Sequence, residues 1–313
     1  GEIGTRARPV TAHGPTRLTA VVLAGVLVAV TACSGGGTPS ASSTPPVPIR
    51  WIAAGDSYAA GVGAPRSRGK CGASDQAMAP LARGLLVDEV TIDAFAHVAC
   101  SGAVLDDILP QVQAANASDG DGPFNLVTLT AGGNDVGFAR ILMDCLGVDD
   151  VLGRSPQGGA RGCDISEEQL IERVDALPER LVTLYERILD ELAPGGALVV
   201  VGYPHLHADP ARWPDDTCGG LSKSDARTLR SVAESVDRVT AAAAKEAGAT
   251  YVSMLDAFED HELCGPGDRW LNGITAGLTS GNPLEGAFHP NELGEREEAS
   301  LVAEVLRDQY DLG

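Results

Sequence analysis

Aromatic residues are scarce in this sequence: they make up 4% of 313 residues, with five Phe, five Tyr and three Trp. So few flat rings leave little on which sugars could stack, which favours acyl chains over glycans as ligands. Basic residues are outnumbered as well, 23 Lys and Arg against 43 Asp and Glu, for a net charge of -20. That balance excludes nucleic acid or an anionic membrane surface as the main partner. No CxxC or HxxxH spacing occurs, so a zinc site is not indicated, and His205 and His207 in "YPHLHADP" lack a third ligand and read as a surface loop. The apolar run "LTAVVLAGVLVAV" falls short of the roughly 18 to 20 residues that a membrane-spanning helix needs.

What that run does have is context. Arg6, Arg8 and Arg17 precede it and "VTAC" closes it, the order of a secretory signal with a small-residue cleavage site. Val30-Thr31-Ala32-Cys33 resembles a bacterial lipobox, in which the cysteine is lipidated and becomes the new N-terminus; plain secretion is the alternative. Residues 34–48, "SGGGTPSASSTPPVP", hold only small residues, valine and proline and read as a flexible tether. The expected organisation is a signal segment over 1–33, a tether over 34–48 and one folded domain over 49–313. Its only membrane contact is then the N-terminal lipid.

Six cysteines remain after Cys33: Cys71, Cys100, Cys145, Cys163, Cys218 and Cys264. An even number in an exported domain argues for disulfides, with 15 connectivities open. Sequential pairing is the simplest: Cys71 with Cys100, Cys145 with Cys163, Cys218 with Cys264.

Apolar, β-branched runs flanked by turn residues occur at "PIRWIAAG", "VTIDAFAHVA", "NLVTLTAGG", "GALVVVGYP" and "ATYVSMLDA", the pattern of strands buried on both faces of a parallel sheet. Between the later strands lie helices. Leu170 to Leu192 carry apolar residues at helical spacing behind a Ser166–Gln169 capping box, and Pro178 should kink or split the helix. A second helix starts at about Ser222 and the last near Asn291. Strands alternating with helices give βαβ units and an open sheet covered on both sides.

In such a sheet, ligands bind at the carboxyl ends of the strands. "IRWIAAGDSYAAG" puts Ser57 just past one such end, where a helix can begin and its N–H groups favour developing negative charge. A serine nucleophile needs a base, and His289 in "FHPNELG" stands in a loop directly before the final helix. "TAGGND" ends a second strand with Asn134, and "CSGA" ends a third with Gly102, whose bare backbone can approach a ligand closely. Taken singly each has a plainer role: Ser57 as an N-cap, Gly102 as a turn glycine, Asn134 as a left-handed residue, His289 as a loop histidine. Asp56 and Asp135, each beside a glycine turn, read as caps for backbone N–H groups. Trp213 and Trp270, each near a cysteine, either line the cleft or pack on a disulfide.

Gly55-Asp56-Ser57, Gly102, Gly132-Gly133-Asn134-Asp135 and His289-Pro290, in this order, resemble the four sequence blocks of the SGNH hydrolase (GDSL-type esterase/lipase) superfamily. The resemblance spans residues 49–313. The cysteine layout, with "GDSYAAG", "ACSGA" and "GDRWLNG", is similar to that of secreted actinobacterial lipases and esterases with three disulfides. It implies a flavodoxin-like three-layer α/β/α fold with a central parallel sheet. It also implies Ser57 as nucleophile, His289 as general base and then acid, and an oxyanion hole of the Ser57 and Gly102 N–H groups with the Asn134 amide. The superfamily pattern often has an acid three residues before the histidine; here that residue is Gly286, with Glu285 one further back. The expectation is a Ser–His dyad oriented by the Gly286 carbonyl. The expected activity is two-step hydrolysis of small-molecule or lipid acyl esters by a monomer, without metal or organic cofactor. The rivals are a surface lipoprotein that binds an acyl or glycan ligand without turnover, and an acyltransferase using the same residues.

Overall fold

The computed structural model describes residues 48–145, 167–219, 221–273 and 286–312, with the side chains of residues 139, 143, 144 and 167 set aside. The five strand segments expected from sequence all form: β1 (Ile49–Gly55), β2 (Ile92–His97), β3 (Leu126–Thr130), β4 (Ala197–Val201) and, after a short β5–β6 hairpin (Thr217–Cys218, Leu221–Ser222), β7 (Thr250–Val252). They make one parallel sheet in the order β2-β1-β3-β4-β7, the doubly wound flavodoxin-like order. β3 and the central residues of β1 are buried throughout, as a sheet covered on both faces requires. Inside it, Trp51 packs edge-on against Phe95 at 5.4 Å and donates its indole N–H to Thr128 Oγ1 at 2.9 Å.

Helices cover both faces, completing the expected three-layer α/β/α sandwich. In chain order they are α1 (Ser57–Ala60), α2 (Met78–Leu86), α3 (Leu105–Asp119), α4 (Gly133–Val136), α5 (Phe138–Cys145), α6 (Glu167–Asp175), α7 (Pro178–Asp190), α8 (Lys223–Ala247) and α9 (Glu292–Gln309). α2 packs on α9, while α7 packs on both α3 and α8. Pro178 splits the long helical stretch, opening α7 as its first residue, where its missing N–H has no intrahelical acceptor to lose. Ser222 caps α8 by accepting from the Asp225 N–H at 3.1 Å, and Asn291 caps α9 by accepting from Leu293 and Gly294. Two of the expected disulfides are in place, Cys71–Cys100 and Cys218–Cys264. Cys145 ends α5; its expected partner Cys163 lies outside the described residues, as do Cys33, Glu285 and the proposed signal and tether apart from Pro48.

The chain runs from β1 outward to β2 and then returns to the other side of β1 as β3. Strand order therefore reverses between β1 and β3, which opens a crevice at their carboxyl ends. Ser57 follows β1 there, and Gly133 and Asn134 follow β3.

Candidate active site

Behind β1 the backbone turns at Gly55 with φ of 137°, and a Cβ there would lie 2.4 Å from the Thr130 carbonyl oxygen. Only glycine fits this close approach. Gln111 holds the turn from both sides, accepting from the Gly55 N–H at 2.8 Å and donating to its carbonyl at 3.0 Å. Asp56 then caps α1 by accepting from the Tyr58 N–H at 3.0 Å, so Ser57 opens a helical turn beside the crevice.

His289 arrives from the other end of the chain. Its Nε2 lies 2.7 Å from Ser57 Oγ and its Nδ1 lies 2.9 Å from the carbonyl oxygen of Ala287. A carbonyl can only accept, so Nδ1 carries the proton and Nε2 presents its lone pair to the serine hydroxyl. The orienting carbonyl is thus that of Ala287, not of Gly286 as expected from sequence. The shift follows from the turn. Gly286 and Phe288 both have positive φ, 80° and 64°, and the Gly286 carbonyl is occupied by the His289 N–H at 3.3 Å. Tyr58 steadies this strained loop by donating its hydroxyl to the Phe288 carbonyl at 2.6 Å while its ring lies 4.9 Å from the imidazole. Burial pushes the His289 pKa below the usual histidine value, opposed by the Ala287 carbonyl, which keeps the imidazole neutral and able to accept a proton.

Asn134 donates from Nδ2 to the Ala103 carbonyl at 2.9 Å, joining the loop after β3 to the Gly102 turn; its second amide hydrogen has no acceptor among the described residues. Gly102 has φ of 83°, and the Cys71–Cys100 disulfide anchors its turn. Among the described residues the backbone N–H groups of Ser57 and Gly102 have no acceptor. Asp135 supports the arrangement as expected, accepting from the Leu105 N–H at 3.0 Å and pairing with Arg180 at 2.8 Å.

Tyr203 is a site residue that sequence reasoning missed. Its hydroxyl donates to Asp56 Oδ2 at 2.5 Å and accepts from the Gly133 N–H at 3.0 Å, so one phenol ties the serine turn to the asparagine turn. Burial raises the Asp56 carboxyl to about 6, against the lowering by this hydrogen bond, and the same burial lifts Tyr203. The only sequence cue is Tyr203's place at the end of a strand run. His205 and His207 are buried rather than on a surface loop: burial pushes both down to about 4, and Arg230 donates to the His207 carbonyl at 2.6 Å. Trp213 donates to the Ala208 carbonyl at 2.9 Å and Trp270 stacks on His261 at 3.7 Å. Neither is among the described residues lining the cavity at Ser57 and His289.

The GDSL-like Lipase/Acylhydrolase family model matches residues 53–297. A lipase from Streptomyces rimosus is 31% identical over 250 residues, covering 78% of this chain and 82% of the relative. Lipase 1 of Streptomyces coelicolor is 30% identical over 273 residues, covering 86% and 91%. Among solved structures, the extracellular lipase from Streptomyces rimosus superposes with a TM-score of 0.61 at 27% identity, covering 83% of this chain and 99% of the other. Phospholipase A1 from Streptomyces albidoflavus gives the same score and identity over 84% and 100%. With matches that span the sheet, the serine turn and the histidine loop alike, the chain belongs to the GDSL-like lipase/acylhydrolase family.

Proposed function

We propose that this carboxylic ester hydrolase works through an acyl-enzyme on Ser57, with His289 as the proton carrier. The observation that carries the reading is the 2.7 Å contact from Ser57 Oγ to a His289 Nε2 whose Nδ1 hydrogen is committed to Ala287. Ser57 Oγ attacks the acyl carbonyl as His289 takes its proton, and the alcohol leaves with that proton. Water, deprotonated in turn by His289, releases the acid. The Ser57 and Gly102 N–H groups and the second Asn134 amide hydrogen receive the negative oxygen of both tetrahedral intermediates. A fluorophosphonate tests the nucleophile, because it is attacked only by an activated serine. One equivalent is expected to attach to the Ser57 peptide by mass spectrometry; an unlabelled Ser57 in folded protein overturns the reading.

Asn134→Ala removes one oxyanion donor. It is expected to lower kcat by about 10²- to 10³-fold with KM little changed, the signature of an interaction made in the transition state. Steady-state kinetics on a soluble ester check this, and a loss confined to KM would assign Asn134 to ground-state binding instead.

The proposed setting is outside the cell. Residues 1–33 act as the signal, Cys33 takes the lipid and residues 34–48 tether the domain over 49–313. The extracellular S. rimosus lipase supports export of a relative, and the Val30–Cys33 motif supports the anchor.

A further inference from the structure

β1 and β3 pair directly, and the last backbone bond between them runs from the Asp56 N–H to the Thr130 carbonyl at 3.0 Å. Past that bond the chain diverges into the Ser57 turn and the Asn134 turn. Among the described residues no backbone hydrogen bond joins residues 56–61 to residues 131–135. Yet Ser57 and Asn134 have to meet one acyl oxygen, and a misplacement of about 1 Å costs up to about 10²-fold in rate. The spacing of the two turns therefore needs a side chain to set it.

Tyr203 stands two residues past the end of β4, and its phenol reaches back across the end of β3 to the turn after β1. The hydroxyl accepts from the Gly133 N–H on one side and donates to Asp56 Oδ2 on the other, while Asp56 Oδ1 accepts from the Tyr58 N–H. One unbroken hydrogen-bonded path thus runs from the residue before Asn134 to the two residues that flank Ser57. Glycine at 133 leaves room for it: a Cβ there would lie 3.1 Å from Tyr203 Cζ and 3.2 Å from its Oη, tight enough to press on the phenol. From its other side the ring packs edge-on against Tyr58 at 5.1 Å. Asp56 suits the path as asparagine does not. Both of its oxygens must accept, and only a carboxylate accepts at both ends. Although burial lifts the Asp56 pKa to about 6, the group is ionised at pH 8.

We propose that Tyr203 is a positioning residue for the oxyanion hole, setting the distance from the Ser57 N–H to the Asn134 amide through Asp56 and Gly133. The proposal rests on Ser57 as the nucleophile and Asn134 as an oxyanion donor.

Tyr203→Phe keeps the ring and removes only the hydroxyl. The test measures steady-state kinetics of the full chain on p-nitrophenyl butyrate at pH 8 for the wild type, Tyr203→Phe, Asn134→Ala and the double variant, with circular dichroism to confirm folding. Tyr203→Phe is expected to lower kcat by about 10- to 10²-fold with KM within about threefold. In the Asn134→Ala background the same change is expected to cost at least about fivefold less, because the amide it positions is already gone. A cost that shrinks by less than that overturns the proposal, since a hydroxyl that merely braces the fold slows both backgrounds alike. A kcat loss under about tenfold in the single variant, or a loss confined to KM, overturns it too. Asp56→Asn leaves one of two buried donors without an acceptor; it goes through the same cycle, is judged by the same outcomes, and decides the matter if Tyr203→Phe does not fold. Ser57→Ala run alongside separates the readings. Hydrolysis that survives Ser57→Ala rejects the nucleophile, and an Asn134→Ala kcat equal to wild type rejects the oxyanion donor and Tyr203's role with it. Losses at both Ser57 and Asn134, with Tyr203→Phe costing the same in either background, reject the role of Tyr203 alone.

Discussion

Replacing Ser57 with alanine is expected to lower kcat for ester hydrolysis by about 10⁵- to 10⁶-fold, and His289→Ala by a similar factor. The double variant should lose little more than either alone, because the 2.7 Å pair acts as one unit: without the hydroxyl there is no proton for the imidazole to take. Residual rate above the uncatalysed reaction then reports the oxyanion donors, which neither change removes. Glu285→Gln belongs in the same series. The Nδ1 proton is already accepted by the Ala287 carbonyl at 2.9 Å, so kcat should stay within about tenfold of the wild type. Neutralising a true triad acid costs about 10⁴-fold, and a loss of that size in Glu285→Gln would replace the backbone-oriented dyad with a side-chain triad. Steady-state kinetics on a short-chain ester, with circular dichroism to confirm folding, distinguish these outcomes.

The parts of this site that are legible in the sequence are those fixed by local chemistry. Gly55, Asp56 and Ser57 make their turn from adjacent residues, Asn291 caps its own helix, and Pro178 ends one helix and starts the next whatever surrounds it. The orienting carbonyl lies one residue from where the sequence suggests because its direction depends on positive φ at Gly286 and Phe288. Phenylalanine rarely adopts that conformation, so nothing local announces it; the Tyr58 bond to Phe288 across 230 positions helps to hold it. Tyr203 reaches Asp56 over 147 positions, and no pattern of period 2 or 3.6 encodes such a pairing. His205 and His207 differ from expectation for a related reason: the segment after β4 folds inward, with His207 bridged to Leu263 and covered by Arg230, whereas a polar stretch rich in Pro, His and Asp reads as surface.

The largest expected effect on stability comes from a pair of acids that the reaction does not use. Glu295 and Glu298 lie one turn apart on α9, 0% and 3% exposed. Glu295 Oε2 accepts from the Met78 N–H at 2.6 Å, capping α2, whose own N-cap Ala77 has no side-chain acceptor, while its Oε1 has no partner among the described residues. Burial raises both carboxyls, Glu298 to about 8 and Glu295 well above the usual carboxylate range, where repulsion from Glu298 adds to the effect. In the unfolded chain both release their protons near pH 4.5, whereas the folded protein holds them to higher pH. Between those values the unfolded state binds fewer protons, so stability falls as pH rises. Each pH unit over which the folded state holds one extra proton is worth about 1.4 kcal/mol. The Glu298 contribution is therefore on the order of a few kcal/mol, fully present below pH 4.5 and lost by about pH 8.

Glu298→Gln removes that titration while keeping nearly the same shape. Thermal unfolding with the disulfides intact should show Tm raised by roughly 10 °C at pH 8 to 9, with the gap closing towards pH 4.5. Equal Tm values across that range would mean that Glu298 titrates as an ordinary exposed carboxyl. The consequence reaches the site, because Tyr58, whose hydroxyl holds the Phe288 carbonyl, feels the charge on Glu298. Ionising the pair therefore weakens the packing of α9 on α2 next to the residue that steadies the histidine loop. The activity lost on mild heating at pH 8 to 9 should be recovered in Glu298→Gln along with the gain in Tm.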